Sequence, residues 1–138
     1  MTKVLVTTGP FTFDGVLETK AAPQTCALIE KQLPLDSKII HVRWSGEGVW
    51  IPFGDDHFDV GYENHTSYPK PGQMILYPGG ISESEMLLAY GEVRFASKFG
   101  QLAGNHFLTI DDPDGNLYEL GRSVLWEGAK GIYIERRG

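Results

Sequence analysis

Glycine and proline interrupt this chain at short intervals, and this spacing limits it to short secondary-structure elements. The 138 residues include 17 glycines and 8 prolines, a heavy load for a helical protein but one that suits strands joined by tight turns. Between the turns, apolar and polar residues alternate, as they do from Phe11 to about Thr19. This alternation is typical of strands. The chain is therefore predicted to be mainly β.

The pattern predicts one domain over residues 1–138. The predicted strands are Lys3 to Thr8, Phe11 to about Thr19, Ser37 to Trp44, Met74 to Tyr77, Glu85 to Tyr90, Glu92 to Ala96, Asn105 to Ile110 and Ile132 to Arg136. Helices are predicted from Pro23 to Leu33, with proline in the first turn, and from Tyr118 to Trp126. Antiparallel sheets of many short strands remove their exposed edges by closing. We therefore expect a closed β-barrel of about eight strands with one or two short helices at its ends.

The segment from Ser45 to Pro71 is rich in turn formers and acidic residues. It is predicted to be an irregular loop. Connections of this length in a compact domain are more often functional than short ones.

The composition excludes several classes of partner. A formal net charge of −6 with scattered basic residues argues against nucleic-acid binding, which depends on clustered Lys and Arg. No apolar run is long enough to span a membrane, and the first residues do not form a signal peptide. Cys26 is the only cysteine, so an internal disulfide is excluded and a reducing cytoplasm is the expected location.

Polar side chains are concentrated between Gly91 and Ile110, where the pattern predicts a strand, a loop with several glycines and another strand. Ser97, Asn105 and His106 lie in this stretch. Polar groups at the mouth of an apolar sheet commonly form binding sites. His106 is a candidate general base or ligand-orienting donor. The alternative is a buried imidazole hydrogen-bonded to the backbone.

A second candidate segment runs from Trp44 to Trp50 and contains two indoles, a carboxylate and small residues. Glycine lets the backbone approach a ligand, and tryptophan supplies a stacking wall with an N–H donor. Glu47 is a second candidate for proton transfer. Alternatively, both indoles pack the ends of the barrel and Glu47 is an ordinary surface carboxylate.

Further candidates for hydrogen bonding to a ligand are Glu63, Asn64, Tyr77 and Glu83. A plain turn is the alternative explanation of the Pro78-Gly79-Gly80 stretch. Glu83 and Glu85 are predicted to share one face of a strand. If that face is turned into the barrel, one carboxylate needs a basic partner or a raised pKa.

No metal or cofactor is predicted. The four histidines show no metal-ligand spacing, and the acidic run from Asp55 to Asp59 is interpreted as a solvated loop. The sequence contains no nucleophile elbow, phosphate loop or dinucleotide fingerprint.

The Gly91–Ile110 stretch resembles cyclophilin. Ala96-Ser97 and Gly104-Asn-His-Phe-Leu108 have the spacing of a cyclophilin segment with an Ala-Asn pair and Gly-Ser-Gln-Phe-Phe, and Gly121-Arg-Ser-Val124 is similar to its Gly-Lys-His-Val. The whole chain more closely resembles a family of uncharacterised bacterial proteins with a cyclophilin-like fold. The motifs that match are Trp44-Ser-Gly-Glu47, Glu63-Asn64, Tyr68-Pro69, Pro71-Gly72, Tyr77-Pro-Gly-Gly80, Ala103-Gly-Asn-His-Phe107 and Leu125-Trp-Glu-Gly128. The resemblance implies a closed cyclophilin-like barrel and no established activity.

The chain departs from cyclophilin where that family holds proline. Arg43 is placed like the catalytic arginine, but Trp-Ser-Gly-Glu replaces the run that follows it. His106 replaces a Gln, Leu108 replaces an aromatic of the pocket floor, and Ser123 replaces a pocket His. These departures argue against prolyl isomerase activity.

We therefore expect a protein that binds a small polar metabolite, anionic or amide-bearing, in the remodelled groove. Arg43 would hold a carboxylate or carbonyl, the Trp44–Trp50 segment would wall the site, and Glu47, Asn105 and His106 would orient the ligand. Whether the site also catalyses a reaction stays open. The alternatives are a peptidyl-prolyl isomerase that retains only Arg43, and an interaction module whose aromatic residues form a homo-oligomer interface.

Overall fold

The computed structural model describes residues 1–138, which form eleven strands and two helices. The strands are β1 (Lys3–Thr8), β2 (Phe11–Leu17), β3 (Leu35–His41), β4 (Gly46–Gly54), β5 (His65–Thr66), β6 (Gln73–Tyr77), β7 (Ser84–Val93), β8 (Ala96–Ser97), β9 (Gly100–Gln101), β10 (Gly104–Asp111) and β11 (Lys130–Arg136). The helices are α1 (Pro23–Gln32) and α2 (Asn116–Glu127).

Eight of the strands close into an antiparallel barrel. Their order is β2-β1-β11-β3-β4-β7-β6-β10, and β10 pairs again with β2, where Leu108 lies opposite Leu17. The short β5 pairs with the first residues of β10, and β8 and β9 form a separate hairpin. The prediction of a mainly β chain with a closed barrel of about eight strands and two helices is confirmed.

β4 shows that the prediction of an irregular segment from Ser45 to Pro71 is wrong in its first part. Val49, Trp50 and Ile51 are all buried, so this strand is covered on both faces. A strand of this kind lacks the alternation of apolar and polar residues that marks a half-exposed strand. Pro52 and the flanking glycines also make the segment resemble a turn in sequence.

β7 is one continuous strand, although two strands separated at Gly91 were predicted. The side chain of Glu47, from the neighbouring β4, occupies the space that a Cβ at Gly91 would need. The glycine therefore marks a close approach within the sheet and does not mark a turn.

The barrel wall carries apolar clusters on both faces. On β7, Met86 and Leu88 belong to a cluster of 23 buried residues inside the barrel. Leu87 and Ala89, which alternate with them, belong to a cluster of 9 buried residues on the outer face. Phe95, on the segment that leads into β8, belongs to this outer cluster. β7 is buried along most of its length because both of its faces are covered.

Both helices pack on the barrel through small or apolar side chains. α1 begins at Pro23, as predicted, and packs on β10. Burial is the main cause that raises the pKa of the Cys26 thiol to about 12, so this thiol stays protonated. α2 packs on β3, β4 and β7, with Gly121 against the Tyr90 ring. Neither helix has the length and hydropathy that a membrane crossing requires.

Candidate functional site

A groove of about 790 Å³ opens on the outside of the barrel, beside the smaller apolar cluster. Three stretches line it, residues 54–57, 79–83 and 96–99, together with Trp44, Trp50 and Glu85. The groove therefore lies where the end of β4, the turn between β6 and β7, and the β8–β9 hairpin meet. Its volume is in the range of small-molecule sites.

The register of three strands sets the floor of this groove. Glu85 on β7 lies opposite Tyr77 on β6 and Pro52 on β4. Two residues further along β7, Leu87 lies opposite Trp50. Since side chains alternate along a strand, Glu85, Tyr77 and Trp50 share the outer face of the barrel wall. Trp50 is only 8% exposed, and its buried Nε1–H has no hydrogen-bond partner.

Glu85 is a buried carboxyl without a partner in the protein. The residue is 5% exposed, and its carboxyl takes part in neither of the two ion pairs. Burial, followed by the negative charge of Glu83, raises the pKa of Glu85 from 4.5 to about 8. The carboxyl is therefore mostly protonated at pH 7 and can donate a hydrogen bond. A perturbed pKa in a cleft is a mark of functional sites.

Large apolar side chains form the rim. Trp44, Ile81 and Phe99 are 59%, 67% and 62% exposed. The Trp44 ring stands edge-to-face against Trp50, with 5.7 Å between ring centroids, while Lys98 Nζ lies 5.2 Å from the centroid of the Phe99 ring. Exposed apolar groups around a polar floor suit a ligand that has an apolar portion.

The turn between β6 and β7 is fixed by Tyr77, whose hydroxyl accepts a hydrogen bond from the Ile81 N–H at 3.0 Å. Gly79 has φ of 106°, a conformation that favours glycine. A Cβ at Gly79 would lie 3.2 Å from Nδ1 of His57. The loop after β4 therefore packs directly on this turn, and together they form one wall of the groove.

The opposite wall is held by Ser45. Its hydroxyl donates to the carbonyl oxygen of Ala96 and accepts from the Ala96 N–H, at 3.2 and 3.1 Å. Ser97 Oγ in turn accepts from the Phe99 N–H at 3.0 Å. These bonds tie the turn that carries Trp44 to the β8–β9 hairpin.

Carboxylates dominate the charge of the groove. The acidic lining residues are Asp55, Asp56, Glu83 and Glu85, whereas Lys98 and His57 are the only basic ones. No group of three or more His, Cys, Asp or Glu side chains in the structure is arranged to hold a metal ion.

Four of the predicted ligand-binding residues line the groove, namely Trp44, Trp50, Glu83 and Ser97. Tyr77 lies behind the turn that it supports. The residues that do not line it are Arg43, Glu47, Glu63, Asn64, Asn105 and His106. The four residues that were expected to surround one ligand, Arg43, Glu47, Asn105 and His106, are therefore not brought together here.

Arg43 and Glu47 flank the groove without entering it. Arg43 is exposed, next to Trp44 in the turn before β4. Glu47 points toward β7, where its Oε1 accepts a hydrogen bond from the Glu92 N–H at 3.1 Å. Arg43 lies in the turn and Glu47 on β4, and their closeness in sequence does not place their side chains in one cavity.

Asn105 is fully buried in a network that includes Glu63. Its Nδ2 donates to the Gly61 carbonyl at 2.8 Å and to Thr25 Oγ1 at 3.1 Å, and its Oδ1 accepts from the Glu63 N–H at 3.1 Å. Glu63 Oε2 accepts from the Thr25 N–H at 2.7 Å. The network joins the segment before β5 to α1, and a role of either residue in ligand binding stays a prediction.

His106 lies in a second chain of hydrogen bonds. Its Nε2 is 2.8 Å from Thr109 Oγ1, and the Thr109 hydroxyl donates to Glu18 Oε2 at 2.6 Å. Nε2 is therefore the donor of the first bond. Asn64 Nδ2 donates to the His106 carbonyl at 2.9 Å. Burial lowers the pKa of His106, and its action as a general base stays a prediction.

A family model described as a protein of unknown function (DUF3830) matches residues 4–135. The chain belongs to this family. The prediction of an uncharacterised family is therefore confirmed. A bacterial source and the likeness to cyclophilin stay predictions.

The solved structures that resemble the DUF3830 chain include the following two. The structure of McbB in complex with tryptophan has a TM-score of 0.73 and 16% identity over 98% of this chain, which spans 45% of McbB. The solution structure of the hypothetical protein AF2241 from Archaeoglobus fulgidus has a TM-score of 0.64 and 15% identity, over 99% of this chain and 95% of AF2241. At such low identity these likenesses show the fold alone. No curated protein matches the chain in sequence.

Several lining residues of the DUF3830 chain were not selected as site residues from its sequence, chiefly Glu85, His57, Lys98 and Phe99. The sequence feature that could have identified Glu85 is its alternation with Leu87 and Ala89, which places it in an apolar row on one face of a strand. A carboxylate in an apolar row is either paired or functional. The loop from Asp55 to His57 is exposed, as a solvated loop would be, yet one side of it lines the groove.

Proposed function

We propose that this protein binds a small organic molecule in the groove beside Trp50 and Glu85. The observation that carries the proposal is that two residues lining the groove have polar groups without a partner in the protein. They are Trp50, whose buried Nε1–H has no hydrogen-bond partner, and Glu85, whose carboxyl takes part in no ion pair. Leaving a buried polar group unsatisfied costs about 1–3 kcal/mol. A ligand with one hydrogen-bond acceptor and one donor would satisfy both groups.

The chemistry of the groove supports a ligand with a polar end and an apolar end. The polar end would accept a hydrogen bond from Trp50 and exchange one with Glu85, as an amide does. The apolar end would lie against Trp44 and Phe99, whose exposed rings lose contact with water when the groove is filled. Of the two ligand types expected from the sequence, an amide-bearing one agrees better with the carboxylates than an anionic one does.

The fold likeness to McbB adds weak support. The complex with tryptophan is a property of McbB, of which this chain spans 45%. It makes ligands of amino-acid size a sensible part of a first screen.

A thermal-shift screen of small metabolites, with Trp50→Phe as the test variant, examines the proposal. A ligand present at one hundred times its Kd should stabilise the wild type by about 2.7 kcal/mol. Trp50→Phe keeps an aromatic ring but removes the unpartnered N–H, so the ligand-induced shift should fall. The matched control is Trp126→Phe on α2, where the indole is 73% exposed and the shift should be unchanged.

The proposal fails if every stabilising compound shifts Trp50→Phe and the wild type equally. Prolyl isomerase activity and a role as a homo-oligomeric interaction module stay predictions. The isomerase would depend on Arg43, so an isomerisation assay on Arg43→Ala separates it from the function proposed here.

A further inference from the structure

We propose, on the basis of the function proposed above, that the ligand is an organic amine bound as a cation, with its ammonium group at Glu85 and its apolar part against Trp44. Three features of the groove carry this inference: the balance of charge around it, the unpaired carboxyl at its floor, and the exposed aromatic wall. Each limits the ligand in a different way.

The charge balance opposes an anion. Asp55, Asp56 and Glu83 line the groove together with Glu85, which is mostly protonated while the groove is empty. The Lys98 ammonium, the one permanent positive charge there, lies over the Phe99 ring at 5.2 Å from its centroid. Like charges brought into a low-dielectric cleft repel strongly, whereas an opposite charge is attracted. A cation is thus the ligand that this lining attracts.

The buried carboxyl lacks the partner that a cation would supply. Buried carboxylates in proteins are normally paired or hydrogen-bonded. The residue opposite Glu85 on β4 is Pro52, which is uncharged, and the one on β6 is Tyr77, whose hydroxyl accepts from the Ile81 N–H. The titratable groups that share the groove with Glu85 are Asp55, Asp56, His57, Glu83 and Lys98. An ammonium donor would give Glu85 a charge-assisted hydrogen bond.

The aromatic wall suits the same ligand. Trp44 is 59% exposed beside the carboxylates, and tryptophan is the aromatic side chain that attracts cations best. The Trp50 Nε1–H, which donates and cannot accept, would bind an acceptor atom of the ligand where the ligand has one, but the ammonium group does not depend on it. An aromatic or other flat apolar group on the ligand would cover the rim.

Binding a cation next to Glu85 would also release a proton. The carboxyl is mostly protonated when the groove is empty, because its pKa is raised to about 8, and a neighbouring ammonium favours the ionised form. Affinity for a permanently protonated amine should therefore rise with pH from about 6 to 8, by up to roughly tenfold per pH unit, and level off above 8.

Three probes with a shared phenyl ring test the charge of the ligand: 2-phenylethylamine, phenylacetamide and phenylacetate. An alkylamine stays protonated through pH 8.5, as lysine does with a pKa of about 10.4. Calorimetric titration of the full chain at pH 7.5 should give the amine a Kd on the order of 1 mM. The amide and the carboxylate should bind at least about tenfold more weakly, because neither places a positive charge beside Glu85.

Two further measurements test the role of Glu85. Titrations in two buffers of different ionisation enthalpy should show that the protein releases a proton when the amine binds, and none when the amide or the carboxylate binds. Glu85→Gln should weaken amine binding and remove its dependence on pH, whereas Glu92→Gln, an exposed residue of the same strand, should change neither.

The results separate this inference from the function on which it rests. If phenylacetamide or phenylacetate binds as tightly as the amine, and the Trp50→Phe substitution weakens that binding, the groove binds ligands but the cation inference is wrong. Amine binding that is equal in Glu85→Gln and independent of pH also overturns the inference. The inference is also overturned if the amine does not bind at concentrations several times the expected Kd. The metabolite screen tests the function of the groove independently.

Discussion

Replacement of Glu85 by glutamine should stabilise the protein at alkaline pH. Glu85 is 5% exposed as a residue and its carboxyl has no ion-pair partner, so the ionised form is costly in the fold. A pKa raised from 4.5 to about 8 corresponds to about 3–5 kcal/mol at 1.36 kcal/mol per pH unit. Glutamine has nearly the same shape and remains neutral, so it avoids this cost.

The sign of the pH dependence follows from proton binding. Between pH 4.5 and about 8 the folded protein holds a proton on Glu85 that the unfolded chain has lost. The contribution of Glu85 to stability therefore falls as pH rises through this range and is constant above it. At pH 5 the two proteins should differ by less than about 1 kcal/mol, the scale of a changed neutral hydrogen-bonding group. At pH 9 the variant should be more stable by about 3–5 kcal/mol.

Urea unfolding at pH 5, 7 and 9, followed by tryptophan fluorescence, measures these differences if the m-values of the two proteins agree. Glu92→Gln, on the same strand but exposed, should differ little from the wild type at every pH. Glu83→Gln should lower the pKa of Glu85, because it removes the second cause of the shift. A difference between Glu85→Gln and the wild type that does not change with pH would refute the reasoning.

Three other substitutions test the scaffold. Asn105→Ala removes three hydrogen bonds of a buried side chain and should cost about 2–4 kcal/mol in urea unfolding. Gly121→Ala places a Cβ closer to the atoms of the Tyr90 ring than van der Waals contact allows and should cost about 1–3 kcal/mol by thermal melting. Burial lowers the pKa of His106 below 6.5, so the wild type should lose stability as pH falls below 6.5. The His106→Gln variant should lose less stability than the wild type over the same pH range. Equal losses of stability in an acid titration would contradict a lowered pKa of His106.

The predictability of each strand depended on how many of its faces are buried. β1 and β2 bury alternate residues, and their patterns predicted both strands. β4 and β7 are covered by the barrel interior on one face and by the outer cluster on the other. Both sequences are nearly continuous apolar runs with glycine inside. β4 was missed for this reason, whereas β7 was predicted as two strands divided at Gly91. The pairing of distant strands identifies β4 and joins the two parts of β7.

The sequence predicted part of the candidate site. Trp44 and Glu83, in turns between strands, and Trp50 and Ser97, on strands, line the groove. Arg43 was selected through the resemblance to cyclophilin, and Glu47 as the carboxylate of the Trp44–Trp50 segment. The residue types do not determine in which direction these two side chains point, so neither lines the groove.

Hydrogen-bond partners, more than residue type, distinguish Asn105 from the two residues at the floor of the groove. Asn105 had the composition of a ligand-binding residue, yet its partners come from Thr25, Gly61 and Glu63, more than forty residues away in sequence. Buried polar groups in folded proteins nearly always find such partners. The Trp50 Nε1–H has none, as is also true of His41 Nδ1 and Ser84 Oγ outside the groove, and the Glu85 carboxyl takes part in no ion pair. Phenylalanine at position 50 would avoid the unpaired N–H, and glutamine at position 85 would avoid the ionisable carboxyl. A ligand that pairs with both groups would give these two residues a role that stability alone does not give them.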